Sequence, residues 1–203
     1  MAWFDAYSLK DSDTTQKHNF LVELLNRIFG DRYDDNNTGI NPRNTGTGRP
    51  TLATWMGNIQ QFQFAVNDFA DMSPIEWLHG WKEGTPIEVH CHWCTGGANN
   101  ATVRGVKWEV ELSYADMNNS VFITPVVASV ETAIPANQAD RTAFYTSIHT
   151  FTPTGYKIGT QMGFRIKRIA SVTNTAPAAN PFLMSVGVHY IKDGLGSRLI
   201  SSK

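Results

Sequence analysis

Ile87-Glu88-Val89-His90-Cys91-His92-Trp93, followed after a turn at Thr95–Thr102 by Val106-Lys107-Trp108-Glu109-Val110-Glu111-Leu112-Ser113-Tyr114, alternates apolar and polar side chains residue by residue. Successive side chains of a strand point to opposite faces, so this period of two predicts strands with one buried and one wet face. Their closeness along the chain predicts a hairpin. Residues directly opposite in a hairpin share a face. That register sets Glu88, His90 and His92 against Lys107, Glu109 and Glu111 as one polar cluster, with Trp108 and Val110 turned inward.

Further strand candidates lie outward from this pair at Val121–Val130, Ala143–Phe151, Gly163–Ala170 and Leu183–Ile191, separated by stretches bearing Pro and Gly. Leu52 to Phe69 is ambiguous, although Phe62, Phe64 and Val66 alternate. Asp11 to Gly30 reads as a helix. Asp13 or Thr14 is its cap, Phe20, Leu21, Leu24, Leu25, Ile28 and Phe29 recur at helical spacing, and Gly30 offers a left-handed stop. Arg32 to Pro50 is dense in Asp, Asn, Gly and Thr and reads as a polar loop or arm. The expected fold is mainly β: an antiparallel jelly-roll-like β-sandwich with an N-terminal helix and an extended arm. Residues 1–71 would form the arm, helix and loop, and 72–203 the sandwich.

The composition narrows the function. A chain of 203 residues, 41% hydrophobic and 17% charged, buries a core without needing disulfides or metal. A formal charge of −1, with Lys and Arg scattered, does not suit a nucleic-acid partner. No stretch reaches the roughly 20 apolar residues of a membrane span, and Met1–Lys10 lacks the apolar run of a signal peptide.

His90-Cys91-His92-Trp93-Cys94 carries the most reactive side chains. A structural zinc site wants four Cys or His ligands, yet the chain holds two cysteines and no second CxxC. A redox CxxC wants a helix start, and a glycine-rich turn follows here. Cys91 therefore reads as a core residue and Cys94 as a thiol at the loop edge. Gly84, His90 and His92 resemble the opening of a cupin metal motif. Gly96 and Gly97 stand where the cupin glutamate belongs, however, and Ile158 where its last histidine belongs. The expectation is no metal, no cofactor and no catalytic residue. Ser147 and His149 lack a nucleophile elbow, and Gly155–Gly159 lacks the spacing of a phosphate loop. Arg165, Lys167 and Arg168 read as a solvated basic row.

Four segments read together carry a resemblance: Leu78-His79-Gly80-Trp81-Lys82-Glu83-Gly84-Thr85, Ile87 to Trp93, Val106 to Tyr114, and Val188-His189-Tyr190 running into Gly194-Leu195-Gly196-Ser197-Arg198. In order and spacing they resemble a family of tailed-bacteriophage virion structural proteins. The resemblance implies a capsid decoration or cement protein on the outer head surface, not an enzyme. Its partners would be the major capsid protein or other virion proteins and its own copies, a trimer by preference, with no nucleic acid and no membrane. A neck, collar or tail-fibre attachment protein is the alternative, ahead of a metal-dependent or carbohydrate-binding jelly roll. Trp3, Phe4 and Tyr7 are the expected partner contacts, because such aromatics are poorly left on an isolated surface.

Overall fold

The computed structural model describes residues 14–42, 46–117 and 120–193. Helix α1 (Thr14–Phe29) precedes β1 (Arg32–Gly39), β2 (Thr51–Met56), β3 (Ile59–Gln63), β4 (Phe69–Asp71), β5 (Ile75–Glu76) and β6 (Ile87–Cys94). Then come β7 (Arg104–Ala115), β8 (Val126–Ile134), β9 (Ala143–Phe151), β10 (Gln161–Ile169) and β11 (Phe182–Lys192). A six-stranded sheet runs β2-β3-β11-β6-β9, with β1 also on β11. A five-stranded sheet runs β4-β10-β7-β8, with β5 also on β10. From β6 onward the chain crosses between sheets at every step except β7 to β8, which interleaves the strands as a jelly roll does. Both sheets are antiparallel, and the molecule is a β-sandwich.

The core is the layer between the sheets. Val89, Cys91 and Trp93 of β6 face Trp108, Val110 and Leu112 of β7, all at most 1% exposed. The rings of Trp93 and Trp108 meet at 6.2 Å across the layer. The predicted inward and outward phases of β6 and β7 are therefore correct.

Their pairing is not the predicted hairpin. β6 pairs with β11 and β9, while β7 pairs with β10 and β8 in the other sheet. Alternation sorts side chains between faces but does not choose the neighbouring strand, and the turn after Cys94 carries the chain across the sandwich.

The expected polar arm also needs correction at its start. β1, Arg-Tyr-Asp-Asp-Asn-Asn-Thr-Gly, pairs along its whole length with β11, from Arg32↔Lys192 to Gly39↔Ser185. It shows no apolar alternation because its half-buried positions are held by polar residues, Asp34, Asn36 and Thr38, of which Asn36 lies against Trp77, Trp81 and Ile87. Its order comes from the backbone ladder and from polar contacts such as Lys192 Nζ to Asp34 Oδ2 at 2.6 Å. Leu52 to Phe69 resolves into the β2–β3 pair, with Gly57 at φ 54° in the turn between them. Strands β1 to β4, all before residue 72, pair into the same two sheets as the later strands.

Three smaller readings change as well. Gly30 follows α1 because a Cβ there would lie 2.3 Å from the Asn26 carbonyl oxygen, a close approach and not a left-handed stop. In the basic row Arg165 and Lys167 face outward, but Arg168 turns inward and is 1% exposed. Cys94 is buried too, with the Trp55 indole N–H donating to its sulfur at 3.1 Å, so it is not a loop-edge thiol. Burial pushes both cysteine thiols up, Cys91 well above the ordinary range.

Glu131 on β8 holds the loop after β10. Its carboxylate accepts the backbone N–H groups of Val172, Thr173 and Asn174 at 2.7, 3.0 and 2.8 Å. Desolvation opposes its ionisation, but these donors outweigh it and hold the carboxyl at about 2. A carboxyl depressed on folding stabilises fully above its unfolded pKa of about 4.3 and loses that contribution as pH falls toward 2. Glu131→Gln is expected to lower stability at pH 7 by about 1 kcal/mol, since solvent screens part of the interaction. Urea midpoints of the two proteins should converge between pH 5 and about pH 2; a constant gap would contradict this account.

Candidate functional site

The outer face of the six-stranded sheet, opposite its core side, gathers polar side chains from four strands. The β6–β11 register sets Glu88 beside His189 and His90 beside Gly187. The β1–β11 register sets Asp35 beside His189 and Asn37 beside Gly187. From β9, Tyr145 lies opposite His92. Gly187 matters here, because a Cβ at this position would lie 2.3 Å from Asn37 Oδ1. The missing side chain lets Asn37 and the Asn36 carbonyl of β1 close over β11.

His90 stands at the centre. It is 0% exposed, although it points away from the main core. Its ring stacks on His189 at 4.0 Å and meets His92 edge-on at 5.0 Å and Tyr145 at 5.2 Å. Neither ring nitrogen has a hydrogen-bond partner among the described residues. Burial, reinforced by His189 and opposed by Asp35, pulls its pKa down to about 4, so the imidazole is neutral at pH 7. A buried polar group left unpaired costs about 1–3 kcal/mol, which makes this ring an anomaly in an otherwise satisfied face.

Around it the acceptors are well placed. Asp35 Oδ1 lies 3.8 Å from His90 Nε2, and its Oδ2 lies 3.6 Å from His189 Nε2. Asn37 Nδ2 donates to Asp35 Oδ2. Glu88 Oε1 accepts from the Tyr145 hydroxyl and lies 3.3 Å from His189 Nδ1. Two donor sets share His90: Asp35, His90 and His92, and Glu88, His90 and His189; within each, the atoms lie within 4.8 Å of one another.

The expected polar cluster is therefore divided. Glu88, His90 and His92 lie together here, while Lys107, Glu109 and Glu111 occupy the outer face of the opposite sheet. There Glu111 lies 3.8 Å from Arg165 Nη1. Ser147 lies across from His90, but a bulge puts His149 across from Val89, so the two do not act together on one face. Trp3, Phe4 and Tyr7, and the closing Gly194–Arg198 segment, lie outside the described residues. Sequence reasoning missed Asp35 and His189, whose approach to His90 depends on strand pairing.

A different surface is apolar. On α1, Leu21, Leu24 and Leu25 are 55%, 39% and 51% exposed along one helical stripe. The edge strand β8 shows Val127 at 59%, next to Val121 and Phe122 in the preceding segment at 87% and 50%. Among the described residues no helix is long and apolar enough to cross a membrane. No protein-family profile and no curated protein matches the sequence at a significant level.

Proposed function

We propose that the protein is a structural subunit of a tailed-phage particle, a decoration protein that grips the head surface and its own copies. The observation that carries this reading is the exposed stripe Leu21, Leu24 and Leu25 on α1. A helix of sixteen residues is marginal in water unless an apolar face is packed. Here the leucines are open to solvent beside a sandwich that has its own core, which suits docking on a neighbouring chain. The apolar edge at β8 supports the same reading, since a bare edge strand invites pairing unless an assembly covers it. The motif series from Leu78 onward supplies the kind of assembly, because its resemblance is to virion proteins.

The test is a Leu21→Glu/Leu25→Glu variant compared with wild type by sedimentation and by binding to particles stripped of the protein. The variant is expected to keep the sandwich's melting transition and to lose both self-association and particle binding. A monomeric wild type whose particle binding survives the double substitution would contradict the reading.

A further inference from the structure

We propose that the outer face of the six-stranded sheet binds one divalent transition-metal ion of zinc-like ligand preference, through Asp35, His90 and His92, with His189 as a fourth donor. This goes beyond the assembly role and does not depend on it.

The donor chemistry is that of a borderline-soft ion: neutral imidazoles with one carboxylate, the set used by zinc and its neighbours. The donor atoms of Asp35, His90 and His92 already lie within 4.8 Å of one another, and those of His90 and His189 are as close in the overlapping set. Ligands bound at about 2.0–2.2 Å around a tetrahedral ion stand roughly 3.3–3.5 Å apart, so modest side-chain rotation closes the site. His90 supplies an independent observation. It is fully buried, its ring nitrogens are unpartnered, and it is surrounded by the other donors. A polar ring held so is explained if a nitrogen lone pair is reserved for an ion.

The surroundings resemble a built support. Glu88, 3.3 Å from His189 Nδ1 and accepting from the Tyr145 hydroxyl, orients the His189 ring with Nε2 toward Asp35. A carboxylate behind a ligating histidine fixes its tautomer and raises its basicity. Gly187 leaves room over β11 for the Asn37 side chain, which donates to Asp35 Oδ2 and so helps to position that carboxylate. The pairs come from strands far apart in sequence, so a bound ion would clamp β1 and β6 across β11.

Cobalt(II) is the probe, added to tag-free, chelator-stripped protein and followed by visible absorption, with zinc competition measured by calorimetry. The expected result is saturation near one equivalent, with displacement by zinc. Asp35→Asn and His92→Ala are each expected to weaken binding tenfold or more, while His18→Ala on the helix leaves it unchanged. Both altered side chains lie on the outer face, and circular dichroism checks that the fold is kept. In wild-type protein, zinc should also shift the imidazole NMR signals of His90, His92 and His189 together, a readout that needs no variant. No saturable binding, binding indifferent to Asp35→Asn and His92→Ala, or imidazole signals unmoved by zinc would overturn the proposal.

Discussion

Trp108→Ala is expected to destabilise the protein by about 3–5 kcal/mol, the range for removing a large aromatic side chain from a packed core. Trp108 is 0% exposed and sits where the two sheets meet, edge-on to Phe64 at 5.5 Å and to Trp93 at 6.2 Å. Alanine would leave a cavity that neither sheet can close without breaking its ladder. The indole N–H has no acceptor among the described residues, so Trp108→Phe should lose volume but no hydrogen bond and cost much less. Glu111, three residues along the same strand on the opposite face, is the control. Its ion pair with Arg165 is long and solvent-exposed, and Glu111→Ala should stay within about 0.5 kcal/mol. Chemical denaturation of the three variants measures the contrast, and equal midpoints for Trp108→Ala and Glu111→Ala would contradict the strand phase.

The second large effect is expected at Arg168. Its guanidinium is buried, and Nη1 donates to the Phe64 carbonyl at 2.7 Å and to Asn180 Oδ1 at 2.6 Å. Burial lowers its pKa to about 10, opposed by Asp68, so it remains charged at pH 7. Through these bonds β10 holds the end of β3 and the segment entering β11. Arg168→Leu would leave the buried Phe64 carbonyl and the part-buried Asn180 Oδ1 without their donor, at about 1–3 kcal/mol for a fully buried group, for a loss of roughly 2–4 kcal/mol in all. Lys167→Leu, one residue away and facing outward, should leave the unfolding midpoint nearly unchanged. A similar midpoint shift for both would mean that Arg168 contributes by charge alone.

These two positions also show what the residues disclose by themselves. Strands β6, β7, β9 and β11 were legible because each lays one face on the core, which imposes the period of two. Trp108 could thus be assigned inward from Val106-Lys107-Trp108-Glu109 alone. Arg168 could not, because a basic side chain on an alternating strand reads as exposed until its buried acceptors, from residues 64 and 180, are known. β1 was illegible for the opposite reason: its half-buried positions are the polar Asp34, Asn36 and Thr38, so the strand carries no apolar signature. The same limit explains the candidate site. His90 and His92 share a face by spacing, but Asp35 and His189 reach them only through the β1–β11–β6 pairing. The mistaken hairpin hid that pairing, by giving β6 the wrong neighbour.

The most direct measurement of the central claim is a cryo-EM reconstruction of particles released from cells that make the protein. The account predicts ordered copies of the β-sandwich on the particle, with the Leu21, Leu24 and Leu25 face of α1 covered by a neighbouring subunit. Particles lacking the chain while it remains free in the lysate, or copies bound with that helix face open to solvent, would contradict it.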